Sequence, residues 1–218
     1  MSVYLSRLRL SLSSGLVRRD LADVQQMHRT VMSMFPQAPD GSDPRALFGV
    51  LHRVGGQDTS GAVEVLLQSN VEPDVSSLPA GYCARRPETK EVEAAYGALG
   101  EGAVLRFRLD ANPTKSISLG SGAARGRRVP VLTVEGQIAW LRGHAGDWGF
   151  EVVEVRLVES RLLSGRARGA SDRRLTLAQF EGTLRVTDQA LFGDALVLGF
   201  GRGRAFGLGL MTVSRARR

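Results

Sequence analysis

The stretch Val-Tyr-Leu-Ser-Arg-Leu-Arg-Leu-Ser-Leu at residues 3–12 alternates apolar and polar side chains towards its end. A period of two residues is typical of a strand with one buried face. From Leu21 to Phe35 the apolar residues recur instead at the spacing of an α-helix, and Asp20 is predicted to cap that helix. Pro36 disfavours helix in the residue before it, so the helix is expected to end near Phe35. The chain therefore begins with a predicted β-α unit.

The segments that follow complete a six-element unit. Two strands are predicted on either side of a turn at Gly55-Gly56, and Asp74 is predicted to cap a short helix. The predicted elements are strands over 46–54, 62–68 and 81–85 and a helix over 75–78. The resulting order, β-α-β-β-α-β, is that of a ferredoxin-like domain.

The second half of the chain repeats this order without a clear sequence repeat. Strands are predicted over 104–109, 150–158, 175–187 and 208–213, helices over 134–143 and 189–198, and a polar, basic loop over 114–128. Asp188 is predicted to cap the last helix. We therefore predict an α+β protein of two tandem ferredoxin-like (βαββαβ) domains, residues 1–86 and 103–218, joined by a Glu-, Ala- and Gly-rich linker over 87–102.

Positive charge is concentrated in the second half. The chain has a net charge of +7. Residues 161–174 contribute +4 through Arg161, Arg166, Arg168, Arg173 and Arg174 against Asp172, and residues 199–218 contribute +5 through Arg202, Arg204, Arg215, Arg217 and Arg218. The rest of the chain is therefore slightly acidic. Such a balance favours a polyanionic partner, although each basic stretch taken alone could be an ordinary solvated face.

The sequence Gly-Phe-Gly-Arg-Gly-Arg-Ala-Phe-Gly-Leu-Gly-Leu-Met at residues 199–211, called the glycine loop below, has two interpretations. It is either a phosphate-binding loop or a glycine-rich turn before the last strand. Glycine permits positive φ and close backbone approach, successive amides can bind an anion, and arginine suits phosphate. The candidate residues are Gly199, Gly201, Arg202, Gly203, Arg204, Gly207 and Gly209.

His28 also has two interpretations. It lies seven residues after Leu21 and so shares the apolar face of the predicted helix. A histidine there is either a partly buried core residue or an acid/base residue at the mouth of a groove, because its pKa suits proton transfer near neutral pH.

Several classes of site are absent from the sequence. The glycine loop is not a Walker A or dinucleotide-binding loop, and no Gly-x-Ser-x-Gly elbow occurs. The three histidines and Cys83 lack metal-ligand spacing, so we predict neither metal nor cofactor. A single cysteine, no secretory segment and no apolar run of about 18 residues favour a cytoplasmic protein that does not enter a membrane.

The chain resembles the CRISPR repeat-processing endoribonucleases of type I-E systems, the CasE subunit of the Cascade complex. The shared motifs keep their order along nearly the whole chain. They are Arg-Asp-Leu at 19–21, Met-His-Arg-Thr at 27–30, Val-Leu-Leu-Gln-Ser at 65–69, Leu-Arg-Phe-Arg-Leu at 105–109, Ala-Asn-Pro-Thr-Lys at 111–115, Ile-Ala-Trp-Leu at 138–141, Phe-Glu-Gly at 180–182 and Gly-Leu-Gly-Leu at 207–210.

The resemblance implies tandem ferredoxin-like domains and metal-independent cleavage of CRISPR repeat RNA on the 3′ side of its stem-loop. It implies 2′,3′-cyclic phosphate and 5′-hydroxyl ends, a protein that is a monomer when free, and retention of the product within Cascade. His28 matches the catalytic histidine of the family. The glycine loop matches its RNA-backbone loop, and residues 161–174 match a basic hairpin that holds the RNA stem.

One position departs from the family. Relatives have a tyrosine three residues before the histidine, and here that residue is Gln25, which lacks an acidic proton. Gln25 could orient substrate or donate a hydrogen bond to phosphate. Two alternatives to the endoribonuclease therefore stay open: a non-catalytic RNA-binding subunit of the same complex, and a ferredoxin-like nucleic-acid-binding protein outside CRISPR.

Overall fold

The computed structural model describes residues 2–117, 127–163 and 175–215. Their strands, in chain order, are β1 (Tyr4–Leu10), β2 (Leu51–Gln57), β3 (Val63–Ser69), β4 (Glu88–Glu91), β5 (Val104–Ala111), β6 (Thr114–Ile117), β7 (Arg127–Pro130), β8 (Phe150–Leu163), β9 (Leu175–Val186) and β10 (Met211–Arg215). The first half forms an antiparallel sheet of order β2-β3-β1-β4, and the second half one of order β10-β5-β9-β8. When the strands of each sheet are numbered in chain order, both sheets have the order 4-1-3-2. The predicted α+β fold of two tandem ferredoxin-like domains is confirmed.

Helices cover these sheets. They are α1 (Gly15–Ala22), α2 (Val24–Met32), α3 (Pro44–Leu47), α4 (Glu93–Gly97), α5 (Val134–Ala145) and α6 (Gln189–Leu198), with 3-10 turns at Val75–Ser77, Gly146–Trp148 and Arg204–Phe206. Asp74 and Asp188 cap their elements as predicted, accepting hydrogen bonds from the backbone N–H groups of Ser76 and Leu191. No described helix has the length and apolar content needed to cross a membrane.

Each half has its own core. In the first, Leu8 and Leu10 of β1 pack with Met27 and Val31 of α2, so the alternation of the strand and the helical period of α2 bury one common face. In the second, β5 and β9 contribute the apolar residues that pack against α5 and α6. The two periodicities of the sequence therefore specify the layers of both halves.

The prediction that Asp20 caps the helix that carries His28 is wrong. The helix is broken in two at Asp23, whose side chain accepts a hydrogen bond of 2.8 Å from the backbone N–H of Gln25 and so begins α2. Asp20 lies instead within α1 and is buried. Asp20 and Asp23 are equally good helix caps by residue type. The contacts of Asp20 with Thr30 and Tyr82 leave Asp23 as the cap.

The prediction for 46–54 is partly wrong. Asp43 caps α3, which occupies the start of this segment, and β2 begins at Leu51. β2 also continues through Gly55-Gly56, and the turn comes later, where the Asp58 carboxylate accepts hydrogen bonds from the backbone N–H groups of Ser60 and Ala62. An aspartate-centred turn of this kind needs no glycine at its start.

The predicted strand over 81–85 is replaced by an isolated bridge between Leu10 and Cys83. The fourth strand of the first sheet is β4, which pairs with β1 inside the segment predicted as a linker, and α4 follows it. The predicted loop over 114–128 contributes the paired strands β6 and β7. These three short strands are mostly polar and exposed, so no hydrophobic alternation marks them in the sequence.

Side chains of β2 and β3 join the two halves. The Arg53 guanidinium, 6% exposed, donates to the carbonyl oxygens of Arg108 and Leu210 and to the hydroxyl of Thr212. The Gln68 amide donates to the carbonyl oxygen of Leu196 over 2.9 Å. Because these bonds are buried and directional, they fix the second half against the first.

Candidate active site

His28 lies on α2, one residue after the core residue Met27, and is half-buried. Its Nδ1 atom is buried and has no hydrogen-bond partner among the described residues. Its Nε2 atom is the ring nitrogen left for contact with another molecule. The chain thus presents one edge of a histidine, rather than enclosing the whole ring in the core.

The glycine loop of the second half reaches this histidine. Its 3-10 turn, Arg204–Phe206, packs against both α2 and β2. The Phe206 ring meets the His28 ring edge-on, with centroids 6.2 Å apart. At Gly207 a Cβ atom would lie 3.4 Å from Nε2 of His52, at a φ of +82°, so the close approach favours glycine. The structure therefore brings together His28 and the loop that the sequence separates by about 170 residues.

The five glycines of the loop all have positive φ. The tightest backbone contact is at Gly209, where a Cβ atom would lie 2.7 Å from the carbonyl oxygen of Phe200. The Gly209 N–H donates to the carbonyl oxygen of Asp110 over 2.7 Å, and its own carbonyl accepts from Phe200. Packing alone accounts for glycine at this position, so phosphate binding by the loop stays a prediction.

The arginines predicted to bind RNA have different surroundings. Arg202 is exposed, whereas Arg204 donates to the carbonyl oxygen of Leu198 over 2.7 Å and so braces its own loop. Arg161, on β8, pairs with Glu159 and lines the small cavity that also contains His52 and Phe206. Arg166, Arg168, Arg173 and Arg174 lie outside the described residues.

Gln25 lies about one helical turn before His28 and is half-buried. Its backbone N–H is held by the Asp23 cap. Its side chain makes no hydrogen bond to the part of the chain that the structure describes. The amide is therefore free to turn towards a molecule bound at His28.

Local electrostatics favour the neutral form of His28. Burial lowers the pKa of His28 below 6.5, the positive charge of Arg45 lowers it further, and Asp43 opposes the shift. A neutral imidazole can accept a proton, so a lowered pKa suits a general base at neutral pH.

Replacing Arg45 with glutamine is expected to raise the pKa of His28, because a like charge is removed. NMR titration of the His28 ring measures this pKa directly. The matched change Asp43→Asn keeps a capping side chain but removes a negative charge, and it should lower the pKa of His28. Shifts of the same sign in both variants would contradict this electrostatic account.

His52, on β2, is a second imidazole beside the same contact. It is 2% exposed, and burial together with the charge of His28 lowers its pKa to about 3. The unfolded chain would bind its proton near pH 6.5, so folding is favoured above that pH and loses stability as the pH falls towards 3.

The chain should therefore lose about 2 kcal/mol of stability through His52 between neutral pH and pH 5. Urea unfolding at pH 7 and pH 5 measures this loss. In His52→Gln, whose side chain does not titrate, the difference between the two pH values should shrink by that amount. An equal loss in both proteins would show that His52 is not held neutral.

Local sequence patterns did not predict three residues of this site: His52, Phe206 and Arg45. His52 lies inside the strand predicted over 46–54, and Arg45 lies just before that range, in the helix α3 that overlaps its start. Phe206 did carry a signal, as an aromatic residue in a stretch of glycines and arginines. Among the described residues no group of three His, Cys, Asp or Glu side chains could hold a metal ion.

Comparison with known proteins gives consistent matches. Residues 3–215 match the family model described as CRISPR associated protein. The CRISPR-associated endoribonuclease Cse3 of Thermus thermophilus is 33% identical over 223 residues, covering 97% of this chain and all of that protein. The CRISPR system Cascade subunit CasE of Escherichia coli is 32% identical, covering 88% of this chain and 92% of its own. A structure of Thermus thermophilus Cse3 bound to an RNA representing a pre-cleavage complex superposes with a TM-score of 0.80 at 32% identity, covering 98% of this chain and all of that one.

Proposed function

Since the chain belongs to the Cse3/CasE family of CRISPR-associated endoribonucleases, we propose that it cleaves CRISPR repeat RNA on the 3′ side of its stem-loop without a metal ion. The observation that carries the proposal is the contact between Phe206 of the glycine loop and His28. It puts the candidate phosphate-binding loop and the candidate general base at one place.

The proposed reaction is an internal transesterification. The ribose 2′-hydroxyl attacks the adjacent phosphorus atom and loses its proton to neutral His28, while the bond from phosphorus to the 5′-oxygen breaks. The 5′-oxygen takes a proton from solvent water and leaves as a hydroxyl, and the upstream product ends in a 2′,3′-cyclic phosphate. The lowered pKa of His28 supports its role as the base, because the neutral form dominates at pH 7.

The substrate is proposed to lie along the basic surface of the second half. Arg202 is exposed in the glycine loop, and Arg161 lines the cavity beside His52. The arginines predicted in the 161–174 hairpin would hold the phosphates of the stem, since duplex RNA hides its bases in a deep, narrow major groove. One relative named above is bound to an RNA and another is a Cascade subunit, so the partners proposed for this chain are repeat RNA and other Cascade subunits.

A cleavage assay tests this function. Purified protein is incubated with a repeat hairpin RNA from the same CRISPR locus, with and without EDTA, and the product ends are identified by mass spectrometry. We expect the same cleavage in both conditions and a cyclic phosphate on the upstream product. Loss of cleavage with EDTA would refute the metal-independent mechanism, and a linear 3′-hydroxyl end would refute transesterification.

Gln25 supports a second candidate, a non-catalytic RNA-binding subunit. An amide cannot supply a proton to the leaving 5′-oxygen as a phenol can, so the site has one fewer acid/base group than its relatives. Tight binding of the hairpin without product over long incubation would favour this candidate. Restored or faster cleavage in Gln25→Tyr would identify the missing phenol as the cause.

A further inference from the structure

The glycine loop also borders a second cavity, of about 570 Å³, called the tryptophan cleft here. Trp140 of α5 and Trp148 of the following 3-10 turn line it, and these are the only tryptophans in the sequence. His144 lies between them in the chain and lines the same cleft. The loop residues Gly201 and Arg202 form another part of its wall.

The aromatic rings form a fixed cluster. The centroids of Trp140 and His144 are 4.9 Å apart, and those of His144 and Trp148 are 5.4 Å apart. His144 Nδ1 donates to the carbonyl oxygen of Trp140 over 2.8 Å, which holds the imidazole in place. The Trp148 ring is anchored edge-on against the buried ring of Phe200. All three clustered side chains remain only half-buried, so part of a preformed aromatic surface faces the cleft.

Two unpaired cations accompany this surface. Arg128 and Arg202 line the cleft, are exposed, and form no hydrogen bond or ion pair with the residues that the structure describes. Asp147 and Asp194 also line it. The carboxylates would repel phosphate but accept hydrogen bonds from base amino groups or ribose hydroxyls. The cleft thus combines stacking surface, phosphate-binding cations and polar acceptors, which together suit a nucleotide.

We propose that the tryptophan cleft binds an unpaired nucleotide of the RNA substrate, with its base against the tryptophan cluster and its phosphate at Arg128 and Arg202. The proposal rests on the proposed function, in which the glycine loop follows the RNA backbone. One face of that loop contacts His28 through Phe206, and Gly201 and Arg202 border the cleft. A strand that leaves the active site along the loop reaches the cleft directly.

Intrinsic tryptophan fluorescence tests the proposal without a label, because both tryptophans line the cleft. The full-length His28→Ala protein is titrated with the single-stranded RNAs hexauridylate and hexaadenylate, with an abasic ribose-phosphate hexamer and with inorganic phosphate. We expect saturable quenching by the two RNAs. Each stacked base should make binding roughly 5- to 150-fold tighter than that of the abasic hexamer.

The arginines are tested by the double variant Arg128→Ala/Arg202→Ala. Its affinity for the hexamers should fall, and the slope of log affinity against log salt concentration should flatten by about 1.4, as for two lost phosphate contacts on single-stranded RNA. Arg142→Ala is the matched control: Arg142 lies on α5, as Trp140 does, but its guanidinium donates to the carbonyl oxygen of Val152 and lines a different cavity. This control should bind like the parent protein.

The outcomes test the nucleotide site in the cleft and the proposed catalytic function separately. Absence of saturable quenching, equal affinity for the abasic hexamer, or an unchanged salt slope in the double variant would each overturn the tryptophan cleft as a nucleotide site. In a parallel assay, the protein with His28 intact is incubated with the repeat hairpin and its cleavage is measured. Cleavage without hexamer binding refutes the cleft alone, whereas a hairpin that stays intact refutes the proposed catalytic function whatever the fluorescence shows.

Discussion

His28→Ala is expected to slow cleavage of the repeat hairpin by roughly 10²- to 10⁴-fold, the usual contribution of a positioned acid/base residue. The physical reason is the loss of the imidazole that receives the 2′-hydroxyl proton. Single-turnover rates, measured with protein in excess over RNA, isolate this step from product release. Affinity for the uncleaved hairpin should change little, because the arginines that would hold the RNA are untouched.

Gln26→Ala is the matched control for this change. Gln26 lies on the same helix and accepts a hydrogen bond from Arg29 at the protein surface, away from the contact with Phe206. Its loss should leave the cleavage rate unchanged. A His28→Ala protein that cleaves as fast as the parent would refute the role of His28. A parent protein that binds the hairpin without cleaving it would instead support the non-catalytic subunit.

Asp20→Ala is expected to destabilise the first half by about 3 kcal/mol. The buried Asp20 carboxylate accepts hydrogen bonds from the hydroxyls of Tyr82, over 2.8 Å, and Thr30, over 2.6 Å, and two from the guanidinium of Arg19. The Tyr82 hydroxyl is buried and would lose its acceptor. The ion pair with Arg19 contributes less to stability, because the Arg19 side chain is half-exposed and water can replace its partner.

Urea unfolding at pH 7 measures the effect. Asp40→Ala is the control, since Asp40 is an exposed aspartate and its loss should change stability by less than about 0.5 kcal/mol. Thr30→Val removes only one of the four donors and should cost less than Asp20→Ala. A loss below 1 kcal/mol in Asp20→Ala would mean that the carboxylate does not hold α1, α2 and Tyr82 together.

The errors in the predicted elements have a common cause. β4 and the hairpin of β6 and β7 are short, polar and exposed, so their sequences show no apolar alternation. Their pairing with neighbouring strands is what makes them strands. Asp20 and Asp23 are both acceptable helix caps by residue type. Only the packing of Tyr82 and Thr30 against Asp20 assigns the cap to Asp23.

For the candidate site, residue types predicted the local backbone but not which residues contact one another in the folded chain. Glycine at positive φ throughout the glycine loop follows from composition, whereas residue type and spacing left both interpretations of His28 open. The contact of Phe206 with His28, the neutral His52 beneath Gly207 and the inward hydrogen bond of Arg204 do not follow from any local pattern. The first two depend on how the second half docks on the first through Arg53 and Gln68, and the third lies between the glycine loop and the end of α6.

The sequence by itself determined the β-α-β-β-α-β order of each half, the apolar faces of β1 and α2, and the positive-φ backbone of the glycine loop, because each depends on side chains a few residues apart. The tertiary structure determined which parts of the chain contact one another. It placed the loop against His28 and gathered both tryptophans beside Arg128 and Arg202. The contact of the loop with His28 arises only when the two cores pack together, and the tryptophan cleft only when the second half folds, since directional hydrogen bonds and close packing then select a single arrangement.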